Sequence, residues 1–158
     1  MTSEERDAIR QLLGAHSTLT LATSDGERAW AATVFYASDD DLNLYFVSDY
    51  RTQHARDISQ NPACFGTINA DVDDWLSVKG LQLSGEVSLL DGLSRINALR
   101  IYLSRFSDVR ALFENPRDKN EETIGQRLKS ANLYRLTPNW VRLIDNGKWF
   151  GYKFEVRL

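Results

Sequence analysis

The order of the apolar runs constrains the fold of this chain more than any single motif does. Seven runs show the alternation, or the β-branched and aromatic enrichment, that is typical of strands. They span residues 17–24, 29–38, 42–47, 63–69, 75–90, 133–145 and 149–158. Because helices do not alternate with these runs, they indicate an antiparallel sheet rather than a parallel one. We therefore expect a mainly β, α+β domain in which a small antiparallel barrel is flanked by helices.

Helical patterns lie before the first strand and between later ones. Helices are expected over residues 3–15, 92–106, 108–114 and 121–129. Thr2 and Glu5 have the spacing of a capping box at the start of the first helix. Gly80 and Gly85 interrupt an apolar strand, so they predict β-bulges or close approaches of two backbones.

Polar segments between the strands have the composition of turns. Asp25-Gly26 and Asn146-Gly147 are dipeptides typical of hairpin turns. Acidic residues at 39–41 are explained by turn chemistry. Those at 71–74 lack the glycine and the closing glutamate of a calcium loop. No metal site is therefore expected.

Length, charge and cysteine content set limits on the class of protein. The 158 residues suit one domain, residues 1–158, with a core of its own. The net charge of −3 argues against a general nucleic-acid binder, which would carry a basic face. No run has the length of a membrane span and no signal-peptide pattern is found, so we expect a cytoplasmic protein without membrane partners. The single cysteine, Cys64, lies in an apolar run and is expected to be buried and unreactive.

The segment 45–62 combines a strand, a turn and a short helix that begins with basic residues. Ser48 and Asp49 directly follow the strand and are good helix-capping residues. Arg51 and His54 lie three positions apart, hence on one helical face. A helix N-terminus already carries a partial positive charge and unpaired N–H groups, so basic residues there are unfavourable unless an anion, most often a phosphate, binds them.

Two interpretations of this helix start remain open. In the first, Arg51 and His54 form a phosphate cradle together with the hydroxyls of Ser48 and Thr52. In the second, the helix start is solvated and its arginines extend into water. The other histidine, His16, follows the first predicted helix and fits a residue that stabilises a helix end.

Four motifs, taken in order, resemble a known superfamily. They are the strand Tyr45-Phe-Val-Ser48, the basic turn into a short helix, Asn61-Pro62, and Lys79-Gly-Leu-Gln-Leu-Ser-Gly-Glu86. From Ser17 to Tyr152 the arrangement resembles the FMN-binding antiparallel split β-barrel of the pyridoxamine 5'-phosphate oxidase superfamily. An uncharacterised bacterial branch of that superfamily shares Gly80-Leu-Gln82. The same branch shows a late pattern made of Asp145-Asn146, Phe150-Gly151 and Lys153.

The resemblance implies that FMN lies between the two subunits of a homodimer. Its phosphate would be held at the start of the short helix by Arg51, Thr52, Gln53 and His54, and Ser48 would contact the flavin. The superfamily commonly has Ser-Arg-Lys where this chain has Thr52-Gln53-His54. Two permanent positive charges are thus replaced by an amide and a titratable ring, and Arg51 would compensate for part of that loss.

Other strands are implied to contact the isoalloxazine ring. The backbone of Val34, Phe35 and Tyr36 would run along the edge of the ring. The residues that would reach the ring from across the interface or lie near its far side are Lys79, Gly80, Gln82, Trp149 and Lys153. An exposed tryptophan indicates an interface or a ligand, so Trp149 and Trp140 are expected to anchor the dimer.

The leading functional hypothesis is an FMN-dependent oxidoreductase that acts on an unknown small molecule. The Arg-x-His substrate motif of the oxidase is not found before Arg157-Leu158, so true pyridoxamine 5'-phosphate oxidase activity is not expected. The alternative is a non-catalytic stress or carrier protein that binds flavin or haem, with His16 or His54 as the axial ligand. A deazaflavin in place of FMN is a further alternative. No catalytic acid or base is identified.

Overall fold

The computed structural model describes residues 1–158 and contains seven strands, five α-helices and one 3₁₀ turn. In chain order the elements are α1 (Ser3–Ala15), β1 (Thr18–Ser24), β2 (Ala29–Ser38), β3 (Leu44–Ser48), α2 (Gln53–Gln60), β4 (Ala63–Asn69), the 3₁₀ turn Trp75–Ser77, β5 (Lys79–Leu89), α3 (Gly92–Arg105), α4 (Ser107–Glu114), α5 (Lys119–Ser130), β6 (Asn132–Asp145) and β7 (Lys153–Arg157). None of these helices combines the length and the apolar character that crossing a membrane requires.

The strands form one antiparallel sheet that closes into a barrel. Their order is β3-β2-β1-β4-β5-β6-β7, and β3 also pairs with β6, so six strands complete the barrel. Strand β6 makes closure possible because it is long. One of its edges pairs with β5, and its other edge pairs with β3 over one part and with β7 over another. Its first residues pair with β3, ending at Ser48 opposite Asn132, and its last residues pair with β7. This arrangement confirms the predicted antiparallel split barrel with flanking helices.

The barrel interior is filled by the inward-facing residues of the alternating strands. Leu19, Leu21 and Leu44 are fully buried within a core cluster of 21 residues. Helix α1 adds three buried side chains to this core, Ile9, Leu12 and Leu13. Its predicted capping box is present, since Thr2 and Glu5 bond to each other's backbone N–H groups.

The predicted irregularity at Gly85 is confirmed as a β-bulge between β5 and β6. Ser84 lies opposite Trp140 and Gly85 lies opposite Pro138, which leaves Asn139 as the extra residue. A Cβ atom on Gly85 would lie 2.2 Å from the Thr137 carbonyl oxygen, so only glycine fits there. The bulge also accommodates Pro138, which cannot donate a backbone hydrogen bond within a sheet.

The two largest errors in the predicted strand boundaries each arise because a side chain caps a local turn. Asp74 accepts hydrogen bonds from the N–H groups of Leu76 and Ser77, so residues 75–77 form a 3₁₀ turn instead of the start of β5. At the other end of the chain, the Asn146 side chain accepts from the Gly151 N–H and holds residues 146–152 in a loop.

The sequence predicts that Phe150, Tyr152, Phe154, Val156 and Leu158 share one side of a strand, but this alternation holds only from Tyr152 to Val156. Leu158, at the end of the run, is 46 % exposed. Phe154 and Val156 face the barrel, as expected. Phe150, which was expected to share their side, lies in the loop and is 71 % exposed.

Candidate functional site

The β3–α2 junction is built by Thr52, which caps the helix in place of the predicted Ser48 and Asp49. Thr52 Oγ1 accepts a hydrogen bond from the Ala55 N–H at 3.3 Å and donates one to the Asp49 carbonyl at 2.8 Å. Helix α2 consequently begins at Gln53, later than the sequence indicated. The Asp49 carboxylate accepts instead from the Arg51 N–H.

Three predicted site residues converge at this junction. Ser48 Oγ lies 2.5 Å from His54 Nε2, and Thr52 Oγ1 lies 3.1 Å from the same nitrogen. The two hydroxyl oxygens are 3.4 Å apart. Ser48 is fixed by the barrel, because it is the last residue of β3 to pair with β6. The hydroxyls and the ring therefore form one connected polar cluster, which we call the junction cluster (Ser48, Thr52 and His54).

The ring of His54 is neutral near pH 7. Burial lowers the pKa of His54 below its usual 6.5, and Asp57, one turn further along the helix, raises it only in part. Because the Thr52 hydroxyl donates to the Asp49 carbonyl, its oxygen accepts from Nε2, which places the ring proton on Nε2. Nδ1 has no hydrogen-bond partner in the chain.

The other predicted phosphate contacts have side chains that bond to their neighbours. Arg51 donates to both oxygens of Asp49, at 3.0 and 2.6 Å, and these hydrogen bonds lower the pKa of Asp49 to about 2. Gln53 donates to Asp57 at 2.6 Å and accepts from Arg56 at 2.7 Å. Neither the Arg51 side chain nor the Gln53 side chain is hydrogen-bonded to the junction cluster.

Backbone donors complete the donor set at the start of α2. The peptide N–H groups of Gln53 and His54 have no acceptor within the chain, as expected for the first residues of a helix. Together with the Ser48 hydroxyl, whose proton is not used within the junction cluster, they make an arrangement suited to the oxygens of a phosphate. No cationic side chain is bonded to the junction cluster, which distinguishes it from the cradle that the sequence predicted.

The predicted contacts on β2 divide between the inside and the outside of the barrel. Val34 and Tyr36 are buried in the core, and the Tyr36 hydroxyl donates to the Leu13 carbonyl at 2.9 Å. Their side chains are therefore unavailable to a ligand outside the barrel. Phe35 points outward, is 58 % exposed and meets the Phe106 ring edge-on at 5.7 Å.

Lys79, Gly80 and Gln82 lie at the opposite end of β6 from the junction cluster. Lys79 pairs with Asp145 in the β5–β6 ladder, whereas Ser48 pairs with Asn132 at the other end of the same 14-residue strand. One chain therefore does not bring these residues together with Ser48. Lys79, Gly80 and Gln82 instead line a separate cleft of about 320 Å³ beside the 69–72 loop.

Several side chains at that end of the barrel already bond to or contact their neighbours. Lys79 Nζ lies 3.0 Å from Asp145 Oδ2, and Gln82 accepts a hydrogen bond from Arg142 at 3.1 Å. Trp149 is 63 % exposed and contacts Tyr152 edge-on, with ring centroids 4.3 Å apart. The remaining predicted residue, Lys153, begins β7 opposite Ile144 and is exposed.

The sequence did not single out a buried acid next to the junction cluster. Asp57 is 1 % exposed and accepts hydrogen bonds from Thr23 at 2.7 Å and from Gln53 at 2.6 Å. It lines a cleft of about 400 Å³ between α2 and the β1–β2 hairpin, together with Asp25, Arg28, Ala29, Trp30 and Gln53. Its position three residues after His54, on the buried face of α2, is the signal that could have found it.

Comparison with known proteins identifies the family. The sequence model of the family named for pyridoxamine 5'-phosphate oxidase matches residues 6–145. The chain belongs to this family. Within the pyridoxamine 5'-phosphate oxidase family, the chain is similar to an uncharacterised UPF0306 protein of Photorhabdus laumondii. The two are 28 % identical over 152 residues, which cover 96 % of this chain and 94 % of the relative.

Solved structures share the fold of this family member at low sequence identity. A haem-binding protein from Mycobacterium smegmatis matches 99 % of the chain with a TM-score of 0.75 and 17 % identity, and the match covers 59 % of that larger chain. General Stress Protein 26 from Bacillus anthracis matches 98 % of the chain with a TM-score of 0.63 and 17 % identity, over 99 % of its own length. At these identities the likeness shows the common fold.

Proposed function

We propose that this member of the pyridoxamine 5'-phosphate oxidase family binds FMN, with the FMN phosphate at the β3–α2 junction. The observation that carries the proposal is the convergence of Ser48, Thr52 and His54 with the unpaired N–H groups of Gln53 and His54. A phosphate ester is the group that best satisfies several such donors at a helix start.

The donor set fits a phosphate better than it fits a bare flavin ring. The Ser48 hydroxyl and the two peptide N–H groups would donate to phosphate oxygens, while Thr52 keeps the first turn of α2 in place. Bound FMN would supply electron or hydride transfer, and the proposed activity is that of an oxidoreductase acting on a small molecule. The contribution of the protein is to orient the cofactor and to hold its phosphate.

We further propose that the protein is a homodimer that packs through the open face of its sheet. Ala31, Ala22, Phe65, Ser84 and Trp140 stand side by side on five neighbouring strands, because each pairs with the next in the ladder. Phe65, at the centre of this row, is 63 % exposed. A large apolar side chain in the middle of an outward sheet face is typical of an interface. Packing of two such faces would also allow residues of one subunit to reach a flavin held by the other.

A second candidate function is a haem-binding or stress-related carrier role without turnover. The structural likeness to the Mycobacterium smegmatis haem-binding protein and to General Stress Protein 26 favours it. His54 is poorly placed to be the axial ligand of a haem, because its Nε2 is hydrogen-bonded to Ser48 and Thr52 and the residue is only 7 % exposed. His16, at the end of α1, is partly exposed and is the histidine that a haem could reach.

The proposed function is tested by identifying the chromophore that co-purifies with the protein and then by reducing it. We expect the absorption spectrum of FMN, bleaching of that spectrum by NADH or NADPH without oxygen, and recovery when an electron acceptor is added. A flavin that stays oxidised with both nicotinamides would contradict the oxidoreductase and favour the carrier. A haem spectrum, or apoprotein that gains no flavin when incubated with FMN, would contradict FMN binding itself.

A further inference from the structure

We propose that His54 couples the binding of the FMN phosphate to the uptake of one proton from solvent. This inference rests on the proposed function and deepens it, because it assigns a regulatory property to the same site. Nε2 already carries a proton and faces the two hydroxyls, so the additional proton binds Nδ1, which has no partner in the chain. One N–H bond forms at Nδ1, and the proton is given up by solvent water or by the buffer acid; no other bond changes.

The arrangement of charges explains why an arriving phosphate would draw a proton. Near neutral pH a phosphate monoester carries close to two negative charges. The junction cluster and the start of α2 offer it the Ser48 hydroxyl, peptide N–H groups and a neutral ring. No permanent cation is bonded to the cluster, and the Nε–Nη2 edge of the Arg51 guanidinium is bonded to Asp49. His54 is 7 % exposed, so a dianion beside it acts through little intervening water. The imidazolium is therefore favoured in the complex and disfavoured in the free protein.

Charged and polar groups surround His54 on α2, on the loop before it and on strands β1 and β3. On its own helix, Asp57 favours the imidazolium but is bonded to Thr23 and Gln53. The preceding loop contributes Asp49 and Arg51, which neutralise each other. Strands β1 and β3 contribute Thr23 and Ser48, whose hydroxyls do not titrate near neutral pH.

Two further groups lie near this part of the chain, on β4 and on α2. Burial raises the pKa of Cys64, on β4, to about 12, so the thiol remains protonated. Arg56, in the first turns of α2, is bonded to the Arg51 carbonyl and the Gln53 side chain. His54 is thus the group near the junction cluster whose ordinary pKa lies closest to neutrality, and FMN binding would change its charge there.

The sign of the coupling follows from the two pKa values of His54. Between the pKa of the free protein and the higher pKa of the complex, binding takes up a proton, so affinity decreases as pH rises. The slope approaches a tenfold weakening per pH unit in that window. Above about pH 6 the phosphate of FMN is itself mostly dianionic, which leaves His54 as the source of the dependence.

The experiment is isothermal titration of apoprotein with FMN from pH 6.5 to 8, in buffers with different ionisation enthalpies. We expect proton uptake approaching one per FMN and a dissociation constant that rises with pH. His16→Gln, which alters the other histidine, serves as the matched control and should keep both properties. His54→Lys should bind FMN with no dependence on pH in this range and take up no proton.

NMR keeps the test decisive if the buried position 54 does not tolerate lysine. The pKa of His54 in the wild-type protein, read from its ring proton shifts, should rise when FMN is added. FMN binding without proton uptake and with an unchanged His54 pKa would overturn the coupling and leave FMN binding intact. Failure to bind FMN at any pH would overturn both the proposed function and the coupling.

Discussion

Ser48 and His54 join the closing strand of the barrel to the first turn of α2 through a direct hydrogen bond between Ser48 Oγ and His54 Nε2. Ser48 is held by its pairing with Asn132, and His54 lies on the buried face of α2. The donors that we assign to a phosphate are therefore anchored to the β3–β6 pairing that closes the barrel. A preorganised donor set of this kind binds its ligand without first having to be ordered.

Replacing Thr52 by alanine should weaken both the helix and the phosphate site. The substitution removes the hydroxyl that caps the Ala55 N–H and bonds the Asp49 carbonyl, so we expect a loss of about 1 kcal/mol in unfolding free energy. FMN affinity should fall as well. Chemical denaturation and flavin titration measure the two effects. Thr52→Ser should restore both, and Ser59→Ala, which removes an exposed hydroxyl of the same helix, is the control. Unchanged stability in Thr52→Ala would contradict the assigned cap.

Gly85→Ala should be strongly destabilising. Its Cβ would lie 2.2 Å from the Thr137 carbonyl oxygen, and the neighbouring atoms belong to the backbone of β6 and cannot rotate away. We expect a loss of about 3 kcal/mol or more, or failure to fold. Gly14→Ala is the matched control, because nothing lies within 4 Å of its Cβ position in α1. It should be neutral or stabilise by up to about 1 kcal/mol. Equal stabilities of the two variants in urea denaturation would argue against the bulge.

The architecture could be predicted because helix caps, apolar alternation and turn residues all indicate the same boundaries between elements. The bounds of α1, β2 and β4 match the predicted 3–15, 29–38 and 63–69, since capping, alternation and turn residues all mark the same positions. The bulge was predictable for a similar reason, because Gly85 and Pro138 are both unfavourable in a regular ladder.

The site was harder to predict because each of its polar side chains has several possible hydrogen-bond partners within reach. Asp49 and Thr52 are both good helix caps, and only the structure shows that Thr52 caps α2 while Asp49 binds Arg51. For the same reason the Gln53 side chain donates a hydrogen bond to Asp57 and not to the predicted phosphate position. Sequence spacing placed these residues at the right end of the helix, but it does not determine the direction of long side chains that can reach several partners.

The apoprotein should lose stability as the pH falls below about 6.5, because His54 is buried in its neutral form. The unfolded chain binds a proton at its usual pKa of 6.5, while burial lowers the pKa in the folded protein. The unfolded state therefore holds more protons in this window, and the unfolding free energy rises with pH through it. Denaturation at pH 5.5 and 7.5 measures the difference, which should become smaller in His54→Gln. A difference of the same size in the variant would contradict the assignment to His54.

Placing a charge at the centre of the open sheet face should disrupt the proposed homodimer. Phe65→Lys puts an ammonium group opposite its own copy or against apolar side chains of the partner, and either outcome is unfavourable. Leu93→Lys is the control, since Leu93 is also a large exposed apolar residue (79 %) but lies on helix α3 and not on a strand. Light scattering after size-exclusion chromatography should show a monomer for the first variant and a dimer for the second. A wild-type protein that binds FMN as a monomer would disprove the dimer.

A comparison of FMN with riboflavin shows whether the junction cluster binds a phosphate, because the two ligands differ only by that phosphate. Titration of apoprotein at pH 6.5, followed by flavin fluorescence, gives both dissociation constants under the same conditions. We expect FMN to bind at least about tenfold more tightly, which corresponds to about 1.4 kcal/mol, the scale of one charge-assisted hydrogen bond. Equal affinities for the two flavins would contradict phosphate binding at the junction cluster.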